Sequence, residues 1–501
     1  MFPFLTVLVV LPAVAAITLR ALPASARGAT RPIALGATLA ELALAVVMAL
    51  RFVPSTAGVH QFSQVHSWIP QIGASWAVGV DGIGLLLVLL AVLLTPLVIL
   101  AGWKDDEDPD RQMKYLGLIL VLESFMVLIF AARDVFLFYV AFEAMLIPLY
   151  FLIGLFGGEQ RRYAAVKFLV FSLVGGLIML AGVIALYGAG PGGRQGFLTD
   201  NLTGLTLTTT TERLIFVAFF VAFAIKAPMV PLHTWLPTVA QTARPGTTAL
   251  LVAVLDKVGT FGMISLCLPL FPNASRWAAP VIIPFAVVSI IYGALLAIGQ
   301  KDLLRLVAYT SVSHFGVMVL GIFAFRQTAI EGSAFYMLNH GLSTGALFLV
   351  VGFLIKRRGS SQIADFGGLQ RVVPVLAGTF LIIGLSALAL PGLSPFVSEI
   401  MVLVGTYPAA RAAVIVAIVG VVLAALYILL AYQKIFTGPA IEGLEKTPDL
   451  SAREKFVTGP LIVVMLVLGF VPGVALTVLR EPAAAAITEV VPADNAAEVS
   501  P

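Results

Sequence analysis

Cysteine and charge are both scarce in this sequence of 501 residues. The single cysteine, Cys267, excludes an intrachain disulfide and any iron–sulfur cluster ligated by cysteines of this chain. Charged residues make up only 11% of the chain and hydrophobic residues 60%, whereas a soluble globular chain has about 25% charged residues. The composition therefore excludes a large aqueous domain and indicates an integral membrane protein.

Nucleotide-binding motifs are also missing. The sequence contains no GxxxxGK[ST] loop, and the glycine-rich stretch GPGGRQG at 190–196 lacks the flanking strand and helix of a dinucleotide fingerprint. ATP-driven transport by this chain alone is therefore not expected. The apolar N-terminus lacks the basic segment and cleavage site of a signal peptide, so we expect it to be a retained membrane helix.

Long apolar runs are abundant, and each is long enough to cross a bilayer core, which takes about 20 residues. They predict an all-α integral membrane fold with about 14 transmembrane helices, over residues 2–19, 32–50, 82–102, 113–130, 135–155, 164–187, 214–239, 247–270, 277–298, 303–325, 330–355, 372–406, 409–436 and 456–479.

The basic residues predict the orientation of these spans, because loops on the cytoplasmic side carry an excess of Lys and Arg. With the N-terminus outside, the inner loops hold most of the basic residues, and the segment 53–80, an external loop, holds none. We therefore expect a multi-pass protein of the bacterial plasma membrane with both termini on the outer face.

Two spans are interrupted by proline at mid-span. The seventh contains Pro228 and Pro231, and the twelfth contains Pro391, Gly392 and Pro395. Proline removes a backbone donor and clashes with the preceding turn, so both helices should be broken. Broken helices at membrane depth occur only where protein or water satisfies the freed backbone groups.

The spacing of these breaks predicts an internal repeat. From Pro228 to Pro391 is 163 residues, and the same offset relates the starts of spans 4 and 9 and of spans 8 and 13. An odd number of helices per copy makes the copies inverted, a pattern that marks ion pathways. The predicted units are three N-terminal helices with an external loop (1–112), a first five-helix repeat (113–271), a second inverted repeat (272–437) and a C-terminal helix with an external tail (438–501).

Titratable residues lie near the middle of seven different spans, although each charge there costs about 2.5–3.5 kcal/mol on insertion scales. Because these residues lie at one depth, they cannot form a path from one face of the membrane to the other. They can form a row parallel to the membrane inside the bundle. We expect this row to carry protons and to consist of Glu123, Glu143, Lys226, Lys257, His314, His340 and Glu399.

Roles within the row follow from the side-chain chemistry. Glu143 and Lys226 form the natural acid–base pair. Lys257 has only its neighbour Asp256 as a nearby carboxylate, pointing about 100° away around the helix, and Asp256 is left out of the pathway. Burial moves a lysine pKa towards neutrality, so an isolated lysine can take up and release protons. A purely structural ion pair remains an alternative for Glu143 and Lys226. Glu123 has two equally weighted alternative roles, one in supporting the row and one in relaying protons.

Six motifs at these same positions resemble a known family, over roughly residues 80–440. They resemble subunit M of the bacterial NADH–quinone oxidoreductase, respiratory complex I, of the actinobacterial type. The motifs are FYVAFEAMLIPLYFLIGLFGG (138–158), KAPMVPLHTWLP (226–237), VLDKVGTFG (254–262), SVSHFGVMVLGIF (311–323), NHGLSTGALFLVVGFL (339–354) and LALPGLSPFVSEIM (388–401).

The resemblance implies an antiporter-like fold of 14 helices with an inverted repeat, and proton translocation coupled to quinone reduction elsewhere in the complex. It implies an acid–lysine pair at Glu143 and Lys226, a central proton-carrying lysine at Lys257 and a terminal acid at Glu399. His314 and His340 match histidines of the connecting hydrophilic axis.

The resemblance also implies partners and cofactors. The partners are other membrane-arm subunits, including sister antiporter-like subunits, and the lipid bilayer, with no nucleic acid. This chain itself is expected to have no catalytic, metal or cofactor site, while NADH, FMN, iron–sulfur clusters and quinone belong to partner subunits. The sequence departs from the family at Thr238, Ala240 and Arg244, after the first broken helix, and at Asp256, which could raise the proton affinity of Lys257.

Three other functions remain open at this point. The chain could be the transporter subunit of a multisubunit sodium/proton antiporter, although the glutamate at 399 argues against it. It could be a cytochrome with haem ligated by His314 and His340. A purely structural membrane subunit is disfavoured by the cost of the buried charges.

Overall fold

The computed structural model describes residues 2–441, 443–488 and 490–491, and most of them are helical. The helices before the second predicted repeat are α1 Phe4–Ala21, α2 Thr30–Leu50, α3 Gly82–Ala101, α4 Pro109–Ala131, α5 Val135–Ala144, α6 Leu146–Phe156, α7 Arg161–Ala189, α8 Thr199–Leu202, α9 Thr209–Lys226, α10 Trp235–Thr242, α11 Pro245–Leu250, α12 Lys257–Gly262 and α13 Leu268–Leu270. The remaining helices are α14 Pro272–Ile298, α15 Leu303–Ile322, α16 Gln327–Arg358, α17 Pro374–Ala387, α18 Ser394–Thr406, α19 Arg411–Phe436, α20 Ala452–Phe470 and α21 Gly473–Thr488.

The segment predicted as an external loop contains an antiparallel hairpin, so the chain is mostly helical and not all-α. Its strands are β1 Gln61–Ile69 and β2 Ala74–Val80, with Val65 opposite Ala77 and His66 opposite Trp76. Gly73 supplies the positive φ of 76° that the turn requires. The second strand is largely buried, and Asp81 after it caps α3 by accepting from the Gly84 N–H at 2.7 Å.

Within the described residues, eleven helices are long and apolar enough to cross a membrane, or twelve if one bent pair counts as a span. The sequence predicts 14. The difference lies in the predicted spans 7 and 12, each of which forms two shorter helices, α9 with α10 and α17 with α18. The chain is thus a multi-pass helical membrane protein.

Proline and glycine end the helices at both interruptions. The helix α9 ends at Lys226, just before Pro228, and α10 begins only at Trp235. In the second break α17 ends at Ala387, and Gly392 adopts a positive φ of 92°. Pro395 then occupies the first turn of α18, where its missing N–H leaves no helical hydrogen bond unmade.

The last predicted span, 456–479, is not one helix. The helix α20 ends at Phe470, and α21 leaves at an angle of 69° after a short break. The expected external tail falls partly on residues 492–501, which lie outside the described residues.

Burial separates central from peripheral helices. The continuous helical segment 245–270 and the helices α15 and α16 are almost wholly buried within the bundle, whereas less than half of the apolar stretch of α7, α14 or α19 is buried. Exposed apolar faces of this size fit contact with lipid. Lys257, His314 and His340 lie on these central helices, and Lys226 is buried at the end of α9.

Candidate proton pathway

Lys257 lies in a segment whose helical geometry is widened on both sides. Leu251–Leu255 and Met263–Cys267 form π-helical turns, and the short helix α12 lies between them. Such turns inside α-helices are frequent at functional sites. The Lys257 side chain is fully buried, and its Nζ donates to the Val252 carbonyl oxygen at 2.6 Å. The wide turn thus gives the lysine a backbone partner in the same helix.

Lys257 is not isolated, contrary to the prediction from the sequence. Its Nζ lies 2.7 Å from the Nδ1 of His340, on α16. A histidine nitrogen without a proton accepts from an ammonium group, and a protonated one donates to a neutral amine. This contact can therefore exchange a proton between the two side chains.

The contact continues from His340 towards the second broken helix. The rings of His340 and His314 have centroids 5.3 Å apart. The His314 Nδ1 lies 2.6 Å from the hydroxyl of Tyr336, and that hydroxyl also lies beside the carboxyl of Glu399. The buried side chains from Lys257 to Glu399 thus form one row across α12, α16, α15 and α18, in which His340 and His314 pack ring against ring without a hydrogen bond between them.

Glu143 and Lys226 are neighbours, but they do not form a salt bridge within the described part of the chain. The Lys226 Nζ instead donates to the Ser172 Oγ at 3.4 Å and lies 5.1 Å from the centre of the Phe142 ring. The Glu143 carboxyl packs against Gly176, where a side chain would collide with it. The predicted acid–base pair is therefore open in this structure.

Glu123 faces an acid that the sequence prediction does not include. The carboxyl of Glu41, on α2, lies against that of Glu123, and both residues are fully buried. Among the described residues none of their four oxygens has a partner at close hydrogen-bond geometry, and the Thr95 hydroxyl also lies beside the Glu123 carboxyl. Two carboxylates this close do not both ionise, so the pair has to hold a proton to form a hydrogen bond.

Two cavities lie at opposite ends of the helical segment that carries Lys257. One, of about 310 Å³, is lined at the start of the segment by Arg244, Pro245 and Gly246. The other, of about 410 Å³, is lined towards its end by Phe261 and Ser265. Room for water therefore reaches both ends of this otherwise buried span.

Arg244, one of the positions at which the sequence departs from the family pattern, lines the first of these cavities. Its guanidinium donates to both oxygens of Asp106, at 2.6 and 2.9 Å, and Arg111 contacts the same carboxylate at 3.0 Å. Burial alone would raise the pKa of Asp106, but the hydrogen bonds and charge of Arg244 and Arg111 outweigh it and hold that pKa below its ordinary value. Asp106 is thus a carboxylate at neutral pH.

The prediction from the sequence does not include several residues of the site. Tyr336 precedes His340 by one helical turn and so shares its face, and Tyr427 brings a second hydroxyl 3.2 Å from the Nε2 of His314. A sequence signal exists for Glu41, a carboxylate in the middle of an apolar run. No such signal marks the tyrosines, because tyrosine is common in apolar helices.

The haem alternative fits the histidines poorly. Both ring nitrogens of His314 are engaged by tyrosine hydroxyls, which leaves no lone pair free for a metal. Across the described residues, no group of three or more His, Cys, Asp or Glu side chains is arranged to hold a metal ion.

Comparisons with known proteins show the family of the chain. Residues 132–426 match the family model described as NADH:quinone oxidoreductase/Mrp antiporter, transmembrane. The NADH-quinone oxidoreductase subunit M of Mycobacterium tuberculosis is 44% identical over 95% of this chain and 93% of its own length.

Two solved structures are similar over nearly the whole chain. A chain of respiratory complex I from Thermus thermophilus, a structure with bound NADH, has a TM-score of 0.89 and 32% identity, covering 97% of this chain and 100% of its own. A chain of the Mrp complex from Dietzia sp. DQ12-45-1b has a TM-score of 0.84 but only 23% identity, covering 98% of this chain and 100% of its own, and shows the shared fold alone. The chain therefore belongs to the NADH:quinone oxidoreductase/Mrp antiporter family of transmembrane subunits, and within it to the subunit M group of the NADH–quinone oxidoreductases.

Proposed function

We propose that this chain is a non-redox, proton-translocating subunit of the membrane arm, and that Glu143, Lys226, Lys257, His314, His340 and Glu399 carry the protons. Glu123 supports them or takes part in the relay. The observation that carries this proposal is the row from Lys257 through His340, His314 and Tyr336 to Glu399. Titratable side chains inside an apolar bundle are costly, and their presence there indicates a function.

The row suggests how coupling works. Quinone reduction elsewhere in the complex changes the charge at one end of the row, and each neighbouring group then gains or loses a proton in response. The open Glu143–Lys226 pair is the element that can close. When it closes, the Lys226 charge is neutralised, and the proton affinity of Lys257 rises because a nearby positive charge no longer opposes it.

The architecture that we propose keeps 14 spans, with each broken pair counted as one, and two inverted five-helix repeats at 113–271 and 272–437. The three N-terminal helices with the external segment (1–112) and the C-terminal unit (438–501) flank them. We place the chain in the bacterial plasma membrane with both termini outside, as the basic residues of alternate loops predict. Breaks after Lys226 and after Ala387 support the repeat assignment.

The same proposal assigns the redox chemistry to partners. NADH, FMN, iron–sulfur clusters and quinone would be held by other subunits, and this chain would contact other membrane-arm subunits, including sister antiporter-like ones. The subunit M relatives and the complex I structure support this arrangement.

Replacement of Lys257 or Glu143 by alanine tests the proposal. In inverted membrane vesicles, we expect Lys257→Ala and Glu143→Ala to lose NADH-driven proton uptake while the complex still assembles. Lys434→Ala, which removes an exposed lysine near the end of α19, is the control and should pump normally. Normal pumping by both test variants would refute the assigned roles.

The sodium/proton antiporter remains the alternative function, because the matched family includes Mrp antiporter subunits. It predicts sodium-dependent proton exchange in vesicles without NADH. Copurification with flavin- and iron–sulfur-bearing subunits separates the two functions directly.

A further inference from the structure

Asp256 is a buried carboxylate that the row described above does not include. Its side chain is fully buried, and no donor in the described part of the chain bonds either of its oxygens. A carboxyl retained for the fold is normally hydrogen-bonded, because an unsatisfied buried polar group is destabilising. Packing alone therefore does not account for it.

The orientation of Asp256 follows from the glycine three residues later. A Cβ on Gly259 would lie 2.5 Å from the Phe223 carbonyl oxygen and 2.6 Å from the Ala227 nitrogen, so this face of α12 packs directly on the end of α9. Residues three apart in a helix share a face. Asp256 therefore faces the end of α9, where Lys226 is the last helical residue.

The charges around Asp256 agree with this placement. The two that act on its carboxyl are those of Lys257, its neighbour in the chain, and Lys226. The lysines themselves are turned to other partners, Lys226 to Ser172 and Lys257 to His340. The carboxyl thus lies between two lysines that have no direct contact with each other within the described residues.

From this arrangement we infer that Asp256 is the proton carrier between Lys226 and Lys257, joining the Glu143–Lys226 pair to the row that ends at Glu399. The Lys226 ammonium gives a proton to the Asp256 carboxylate, which leaves a neutral amine and a carboxylic acid. The acid then gives that proton to the neutral Lys257 amine, forming an ammonium and regenerating the carboxylate. Either lysine reaches the carboxyl by rotation about its four-carbon stem.

This inference rests on the proposed function, since it adds a carrier to the same pathway. A carrier role accounts for the position of Asp256 directly before Lys257 and for the π-helical turn that precedes both residues. In that turn the Asp256 N–H bonds to the Leu251 carbonyl at 3.0 Å, five residues back.

The test uses the assembled complex in inverted membrane vesicles, driven by NADH. Asp256→Asn keeps the shape but not the proton-binding group, and we expect its initial rate of proton uptake to fall at least tenfold. Asp256→Ser is the second variant, in case the amide donors of the asparagine variant disturb assembly. It should show the same loss of proton uptake. Asp256→Glu restores a carboxyl and should recover a third or more of the parental rate.

Glu331→Gln is the matched control. Glu331 is a buried carboxyl near the start of α16, nine residues before His340, and the variant should pump at the parental rate. Redox-induced infrared difference spectra add a second readout, which would not change if Asp256 had only a structural role. A carboxylic acid band should appear in the parent and be absent from Asp256→Asn.

The outcomes separate the two proposals. If Lys257→Ala loses pumping while Asp256→Asn or Asp256→Ser pumps normally, the carrier role of Asp256 is overturned and the proposed function stands. Absence of any Asp256-dependent carboxyl band would overturn it too. Normal pumping by Lys257→Ala and Glu143→Ala would instead remove the proposed function itself.

Discussion

Gly176 on α7 gives the sharpest test of the Glu143 position. A Cβ at this glycine would stand 1.6 Å from the Glu143 Oε1 and 2.4 Å from its carboxyl carbon. Non-bonded heavy atoms prefer separations of about 3.5–4.0 Å, so Gly176→Ala forces the carboxyl to move by about 2 Å. The obstacle is the free end of a flexible side chain, so the backbone of α7 need not shift.

The substitution should separate function from stability. Alanine favours a helix over glycine by about 1 kcal/mol, so the free energy of unfolding should not fall. The Glu143 Oε1 has no hydrogen-bond partner among the described residues, so moving it breaks no bond of that oxygen. A displacement of about 1 Å in a reacting group can cost about 100-fold in rate, and we expect proton uptake to fall about 10- to 100-fold.

The same helix offers a matched control. Gly188, also on α7, has open space around it, since a Cβ added there would meet nothing within 4 Å. Gly188→Ala therefore makes the same chemical change without a collision. Both variants are compared in inverted vesicles by NADH-driven quenching of a pH-sensitive dye, normalised to the amount of assembled complex. Equal pumping by the two variants would refute the reasoning, as would failure of Gly176→Ala to assemble.

Two other predictions concern the far end of the row and the cavity beside Arg244. Tyr336→Phe removes the hydroxyl between His314 and Glu399, and proton uptake should fall at least tenfold while the complex assembles; a rate within twofold of the parent would remove the tyrosine from the row. Asp106→Asn leaves Arg244 without its carboxylate and should lower the free energy of unfolding by about 2 kcal/mol. This loss is smaller than that for breaking a fully buried ion pair, because the arginine is partly exposed. Because the folded pKa of Asp106 lies below its ordinary value, this contribution is complete above the unfolded pKa of about 3.9 and is lost as the pH falls through the folded pKa. The difference in melting temperature between parent and Asp106→Asn should therefore stay constant from pH 8 to 5 and shrink only below about pH 4; a difference that already shrinks between pH 8 and 5 would contradict the pairing.

The row has a physical consequence for how a proton can move. Its members come from four different helices, so a shift of α18 after the second break changes the distances within it. The second break lies between α17 and α18, and α18 begins at Ser394, five residues before Glu399. Helix breaks leave backbone groups that water or side chains have to satisfy, which makes these segments the natural places for hydration to change.

The hairpin and the bent C-terminal pair show where pattern reasoning fails. Residues 61–80 carry no Lys or Arg, and that absence predicts an external segment without revealing that β1 and β2 pair there. The stretch 456–479 is apolar almost throughout, so hydropathy does not reveal the 69° bend after Phe470. Hydropathy reports how long an apolar segment is, and it does not report strand pairing or the direction of a helix.

The sequence by itself determined the membrane class, the two helix breaks and most of the titratable side chains, because the scarcity of charge, the prolines and buried Glu, Lys and His are all local features. Only the tertiary structure decided which of these side chains meet. Lys257 contacts His340 across 83 positions of the chain, and Glu41 faces Glu123 from another helix. The segment with the π-helical turns, which carries Asp256 and Lys257, packs against α9 and α16. Contacts between helices depend on the relative rotation and approach of both partners, and no single stretch of sequence contains that information.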